Sequence, residues 1–233
     1  MSAERPEAEP ILVRHMSFCS EGFVLAMDAF DALGAPPKVI VEVGAFDGDE
    51  AISLKQRYPG ARVIAFEACP LNYDRMITLI QGSGVEPVWS AVCDHNNGLD
   101  FWPNKPEDNA RVSGSILPPT ASLKTERLNQ VGIAAGFTDT PVKVPSVRLD
   151  DFCKGAGIGA IDIVQMDVQG AEAFVLRGLG SLRPRVLFLE VNETADFGHY
   201  SGGAPMKELR QLLTDMGYEL RWDNNADAFY FLP

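Results

Sequence analysis

Apolar positions in this chain fall into two kinds of pattern. Short dense runs occur at Val39–Val43 (V-I-V-E-V), Arg62–Phe66 (R-V-I-A-F), Val85–Val92 (V-E-P-V-W-S-A-V), Ile161–Met166 (I-D-I-V-Q-M) and Arg185–Val191 (R-V-L-F-L-E-V). Each has the length and β-branched content of a buried strand. Between them, apolar residues recur every three or four positions, which predicts helices over Ser17–Gly34, Asp49–Tyr58, Pro70–Ile80, Ala171–Leu179 and Met206–Met216. Tyr73, Met76, Ile77 and Ile80 are expected inward on one helix, and Phe174, Val175 and Leu176 on another. Gly217–Trp222 and Ala228–Leu232 flank a polar turn and read as a closing hairpin. Strand–helix alternation of this kind predicts an α/β fold around a mostly parallel sheet.

One stretch departs from the alternation. Residues 93–160 lie between the third and fourth core strands, long for a connection in a compact fold. Within them, Leu99–Trp102 predicts a small strand, Pro103–Thr120 a loop, Ala121–Gly136 a helix and Pro141–Val147 another strand. A short helix opens at Leu149. This insertion is expected to lie over the carboxyl edge of the sheet and shape an acceptor pocket. Residues 1–10 read as a mobile leader, and 11–233 as one domain.

The stretch V-I-V-E-V-G-A-F-D-G, Val39–Gly48, organises the rest. An apolar strand that breaks into glycines and re-enters a helix is the ligand-side turn of a βαβ unit. Asp47 and Asp49 are placed to cap that helix. The spacing E-x-G-x-x-x-G is not the dinucleotide G-x-G-x-x-G. Glu42 ends the strand with a carboxylate that repels a pyrophosphate and attracts an ammonium or sulfonium, favouring S-adenosylmethionine over NAD. Glu67 follows the second strand, about two dozen residues past Gly44, where an acid meets ribose hydroxyls. Ser90, Ala91 and Val92, small residues after the third strand, admit a flat adenine. Ser113-Gly114-Ser115 offers hydroxyls and amides to the cofactor carboxylate or the substrate.

Composition narrows the partners. A net charge of −12 and a pI near 4.7 exclude the basic face that nucleic acid or an anionic membrane requires. The four cysteines, Cys19, Cys69, Cys93 and Cys153, show neither C-x-x-C nor paired Cys/His spacing, and read as reduced buried thiols rather than a disulfide frame or zinc site. No apolar run is long enough to cross a bilayer, and the N-terminus lacks a signal-peptide pattern, so a cytoplasmic protein is expected.

The ordered segments E-V-G-A-F-D-G, F-E-A-C-P-L-N-Y, S-A-V-C-D, S-G-S-I-L, V-R-L-D-D-F and Q-M-D-V-Q-G-A-E resemble those of the FkbM-type S-adenosylmethionine-dependent methyltransferases, over roughly Pro37–Pro233. The resemblance implies a Rossmann-like, seven-stranded twisted sheet flanked by helices, with O-methylation of a hydroxyl on a sugar, glycolipid or polyketide and S-adenosylhomocysteine as product. Carried onto this chain, the cofactor-binding set is Glu42, Gly44, Ala45, Phe46, Gly48, Glu67, Ala68, Ser90, Ala91, Val92, Ser115 and Asp167. Where the family usually has glutamate in D-V-E-G-x-E, this chain has Gln169.

A hydroxyl nucleophile must lose its proton during methyl transfer. Asp167, Glu190, Glu193 and His199 fall at or after strand ends on the required edge. Asp167 is best placed, and His199 best suited by its ordinary pKa. His199 is expected to act as base, with Asp167 orienting the reacting groups. Asp167, Glu190 and Asn192 are oxygen ligands of a kind that Mg²⁺ accepts, although strand-end hydrogen bonding explains them equally, and an obligatory metal is not expected. An NAD-linked oxidoreductase and a non-catalytic methyltransferase-like subunit are the competing readings.

Overall fold

The computed structural model describes residues 21–106, 113–125, 136–190 and 199–233. The expected leader, His15, Cys19, Asn192, Glu193 and Asp196 lie outside these residues.

A seven-stranded sheet forms the centre. Its strands are β1 (Val39–Val43), β2 (Arg62–Glu67), β3 (Val85–Trp89), β8 (Ile163–Met166), β9 (Val186–Glu190), β10 (Glu219–Asp223) and β11 (Asp227–Phe231). The spatial order is β10-β11-β9-β8-β1-β2-β3, and only the hairpin strand β11 runs against its neighbours. The chain builds outward from β1 through β2 to β3, then returns to lay β8 on the other side of β1. That reversal leaves a crevice at the carboxyl ends of β1 and β8, where ligands bind in open α/β sheets. The register is Glu42 beside Ala65 on one side and beside Gln165 on the other.

Side chains alternate between two buried layers, as the period of two demands. Val41, Val43, Ile64, Phe66, Val164 and Met166 pack against α4 (Leu149–Gly155), α5 (Glu172–Gly178) and α6 (Met206–Asp215). Ile40, Val63, Ala65 and Ile163 face α1 (Glu21–Asp31), α2 (Asp49–Arg57) and α3 (Pro70–Leu79). Each large side chain so buried contributes roughly 1.5–3 kcal/mol, and Phe66→Ala would cost roughly 3–5 kcal/mol by opening a cavity. By the same alternation Glu42 shares the α2 face with Ile40, so the sheet carries a carboxylate into an otherwise apolar layer.

Several elements differ from the sequence-based expectation. The run Val85–Val92 splits. Ser90 N–H is the last donor to β2, on Glu67 O at 3.1 Å; Ala91 N–H turns instead to Pro145 O at 2.9 Å. β4 (Ala91–Val92) thus pairs in parallel with β7 (Ser146–Val147), while β5 (Leu99–Phe101) pairs antiparallel with β6 (Val142–Val144). Pro145, which has no N–H, interrupts the strand expected over Pro141–Val147. Asp47 and Asp49 do not cap α2: its N-cap is Gly48 at φ 83°, with no side-chain cap bond, and Asp47 pairs with Arg75 at 2.8 Å. Ile77 points outward at 41% exposure, and α3 buries Asn72 with Met76 instead. Phe174 is half-buried, its ring under the Arg177 guanidinium. Of the helix expected over Ala121–Gly136, residues 121–125 are helical and 126–135 lie outside the described residues.

Candidate active site

β1 ends at Val43, and the chain must leave it without blocking β8. Gly44 does so at φ 86°, where a Cβ would stand 1.9 Å from the Asp167 carbonyl oxygen. The glycine is therefore required by the neighbouring backbone rather than by a ligand. Gly44 and Ala45 N–H groups both reach Phe66 O at 2.9 Å, and Asp167 N–H bonds Val43 O at 3.0 Å. These bonds hold the ends of β1, β2 and β8 together.

A cavity of about 490 Å³ opens there. Its wall includes Glu42, Gly44, Ala45, Phe46, Glu67, Ala68, Ser90, Ala91, Val92, Ser115 and Asp167, with Asp47, Asp49, Glu50, Asn72, Arg75, Phe101, Gly114, Ile116 and Gln169. Gly48 is not part of it. A Cβ on Gly48 would lie 2.6 Å from Ile80 Cγ2, so that glycine serves the packing of α2 on α3. His199 and Glu190 are not lining residues either. The main chain of His199 pairs with the insertion, Thr120 N–H to His199 O at 2.9 Å, while Tyr200, also not a lining residue, places its hydroxyl 3.3 Å from Gln169 Oε1.

Charge dominates the wall. Among the described residues lining it, six acids (Glu42, Asp47, Asp49, Glu50, Glu67, Asp167) face a single cation, Arg75, which lies over the Phe46 ring at 5.2 Å. Glu67 is 5% exposed, and its two oxygens accept from Phe46 N–H at 2.8 Å and Cys69 N–H at 2.7 Å. Burial pushes its carboxyl up to about 7 against the pull of those two bonds. Burial, then Glu50, Asp47 and Glu67, hold Glu42 well above the usual carboxylate range. Its Oε2 is buried without a hydrogen-bond partner. Glu50 accepts from Gln165 Nε2 and is pushed up to about 7 by burial and by Asp167. Behind the wall, burial raises Glu172 to about 7. Glu190, exposed as a residue but with its carboxyl turned to Asp167, is pushed up to about 9 by desolvation and by its hydrogen bond to that neighbour.

A buried carboxylate oxygen without a donor is costly. An acid-lined cavity fits a ligand that brings donors and positive charge, such as a methionine ammonium and a sulfonium. The small residues Ser90, Ala91 and Val92 flank it beyond Glu67. For a metal, the arrangement is poorer: Asp167 Oδ1 is taken by Gln169 Nε2 at 2.6 Å. Among the described residues, one group of three has ligand atoms within 4.8 Å of one another, Cys93, Asp94 and His95. None of these lines the cavity, and burial pushes the Cys93 thiol up, away from a metal-binding thiolate.

Sequence reasoning missed Asn72, Arg75, Phe101 and Glu50 as wall residues. A signal existed for Asn72, inside F-E-A-C-P-L-N-Y. Arg75 carried none, since a cation on the outer side of a helix is the ordinary case.

A methyltransferase FkbM domain model matches residues 42–220. The 2-O-methyltransferase NoeI of Sinorhizobium fredii (strain NBRC 101917 / NGR234) is 31% identical over 185 residues, 78% of this chain and 73% of that protein. Methyltransferase sdnD of Sordaria araneosa is 26% identical over 79% of this chain and 74% of its own length. The 31-O-demethyl-FK506 methyltransferase FkbM of Streptomyces tacrolimicus is 26% identical over 62% of this chain and 60% of its own. The matched span begins at Glu42 and takes in the strand-end turn, Glu67, the insertion and Asp167. The chain belongs to the FkbM methyltransferase family and is an S-adenosylmethionine-dependent methyltransferase.

Proposed function

We propose that this enzyme transfers a methyl group to a hydroxyl of a sugar, glycolipid or polyketide-type molecule. The observation that carries the proposal is the cavity at the carboxyl edge, where, among the described residues, six acids meet one arginine and a buried Glu42 oxygen lacks a donor. A net charge of −12 disfavours a nucleic-acid acceptor, and the relatives named for their position of methylation are O-methyltransferases. Among the described residues no helix is long and apolar enough to cross a membrane.

In this reading Glu42 and the Gly44 turn hold the amino acid end of the cofactor, Glu67 accepts from both ribose hydroxyls, and Ser90–Val92 border the adenine. S-adenosylmethionine supplies a methyl carbon activated by a sulfonium. Displacement of that methyl by the acceptor oxygen would leave the cofactor as its neutral thioether. The hydroxyl proton leaves in the same step. Asp167 lines the cavity and takes that proton, whereas His199 lies outside the wall. The insertion contributes Phe101, Gly114, Ser115 and Ile116, which exclude water and align the oxygen, an effect worth several kcal/mol in such displacements.

The test uses tritiated-methyl cofactor and a panel of oligosaccharide, glycolipid and macrolactone acceptors. Label should move to one hydroxyl class. Transfer to carboxyl, amine or carbon acceptors alone would refute the assignment.

A further inference from the structure

The strand-end loop after β8 reads Asp167-Val168-Gln169-Gly170 and takes an unusual course. Gln169 sits at φ 53°, a region rarely adopted by residues other than glycine, and Gly170 at φ 90°. Three contacts hold Gln169 there. Its Nε2 donates to Asp167 Oδ1 at 2.6 Å, its carbonyl accepts from Ser115 Oγ at 2.9 Å, and its Oε1 lies 3.3 Å from the Tyr200 hydroxyl. The amide orientation is fixed by chemistry, because an ionised carboxylate accepts and cannot donate. The single Tyr200 hydroxyl proton serves either Gln169 Oε1 or Ser113 O, the latter at the shorter 2.7 Å. A Cβ on Gly170 would stand 3.3 Å from the Tyr200 ring, so this loop and residue 200 are in close contact. The segments carrying Ser115 and Tyr200 are joined by Ser201 N–H to Pro118 O and Thr120 N–H to His199 O, both at 2.9 Å.

Gln169 is thus the point where the cavity floor, ending in Asp167, meets the wall built by the insertion. We propose that Gln169 is a positioning residue: its amide sets the Asp167 carboxylate toward the cofactor and acceptor, and its ties to Ser115 and Tyr200 make that setting depend on a seated insertion. This rests on the reading that Asp167 lies against the bound cofactor. In this chain the donor is neutral, and its contacts fix it. A carboxylate at 169 would instead share a proton with Asp167, since like charges 2.6 Å apart cannot both stay ionised.

The experiment measures S-adenosylhomocysteine binding by calorimetry between pH 6 and 9 for the wild type, Gln169→Leu and Gln169→Glu, with melting of each unliganded protein. Asp167 is also faced by Glu50 from α2, Glu67 from β2, Glu172 from α5 and Glu190 from β9. These groups are common to all three proteins, so the ratio of variant to wild-type affinity at each pH isolates position 169. Gln169→Leu should bind about tenfold to a hundredfold more weakly at every pH, the loss expected for a hydrogen bond to a charged group. Gln169→Glu should match the wild type near pH 6, where a shared proton restores the bridge, and fall away as the pH rises and that proton leaves. Ratios near one for both folded variants across the range would overturn the proposal while leaving the cofactor reading intact. A wild type that does not bind at any pH would sink both.

Discussion

Glu67→Gln separates the charge of this acid from its place in the fold. In the native site each carboxylate oxygen already accepts one backbone N–H, from Phe46 at 2.8 Å and from Cys69 at 2.7 Å. A carboxylate has about four acceptor positions, so one lone pair on each oxygen is left for the two ribose hydroxyls. Glutamine keeps one oxygen and turns an NH₂ against the other backbone N–H, removing one ribose contact and the charge behind both. A hydrogen bond to a charged group is worth roughly 1.5–3 kcal/mol, so S-adenosylhomocysteine should bind roughly tenfold to a hundredfold more weakly at pH 8. Stability moves in opposing directions. With its carboxyl raised to about 7, Glu67 contributes stability that is fully present below its ordinary pKa of 4.5 and lost as pH rises through about 7. At about 1.4 kcal/mol per unit that is on the order of 3 kcal/mol, which glutamine spares. The unpaired N–H costs roughly 1–3 kcal/mol. The melting temperature at pH 8 should therefore shift little, and calorimetric affinity is the decisive readout. The wild type should also lose affinity as pH falls from 8 to 6 and Glu67 takes up its proton, a slope that should be shallower in the glutamine variant, where Glu50 still titrates near 7. Equal affinities and equal slopes would refute the role of Glu67.

Gly44→Val should lower the melting temperature by at least roughly 4–8 °C, since a side chain at φ 86° and 1.9 Å from Asp167 O costs on the order of 2 kcal/mol or more; a variant that melts normally would show that the strand-end turn is not constrained in this way. Treatment with EDTA should leave turnover unchanged, because Gln169 Nε2 occupies Asp167 Oδ1 and Glu190, raised to about 9, holds a proton beside it; activity lost in chelator and restored by Mg²⁺ or Mn²⁺ would reverse this. Asp167→Asn should lower turnover by about 10²–10⁴-fold even at saturating cofactor, and His199→Ala far less. The opposite ranking would make His199 the base.

The central sheet was legible because its strands announce themselves. Val39–Val43, Ile163–Met166 and Val186–Glu190 are short, almost wholly apolar and buried on both faces, and no helix of that length competes for such residues. The wall positions along E-V-G-A-F and F-E-A were legible for the same reason, since a strand end fixes where the next residues point. What the sequence hid was long-range exchange of partners. Nothing local says that Ala91 leaves β2 for Pro145, or that Tyr200 places its hydroxyl beside Gln169. Helix faces were misread by one position at Ile77, because Asn72 and Met76 satisfy the same spacing and burial of a polar Asn72 depends on the cavity beside it. Gly44 and Gly48 were both legible as glycines needing positive φ, yet the contacts that require them are a backbone carbonyl and an apolar helix face.

The electrostatics of the cavity give the fold its functional direction. A protein that gathers Glu42, Glu50, Glu67 and Asp167 at adjoining strand ends and on the facing helix raises the energy of their ionised forms, and the elevated carboxyls of the first three record that cost. Arg75 is spent on Asp47, leaving the deeper acids without a cation among the described residues lining the cavity. A unit charge about 5 Å from one of these carboxylates gains on the order of 3 kcal/mol at an effective dielectric constant near 20. That gain is available to a sulfonium before methyl transfer and not to the neutral thioether after it. The same acids therefore favour the reactant form of the cofactor over its product, and they do so through the cofactor's own charge.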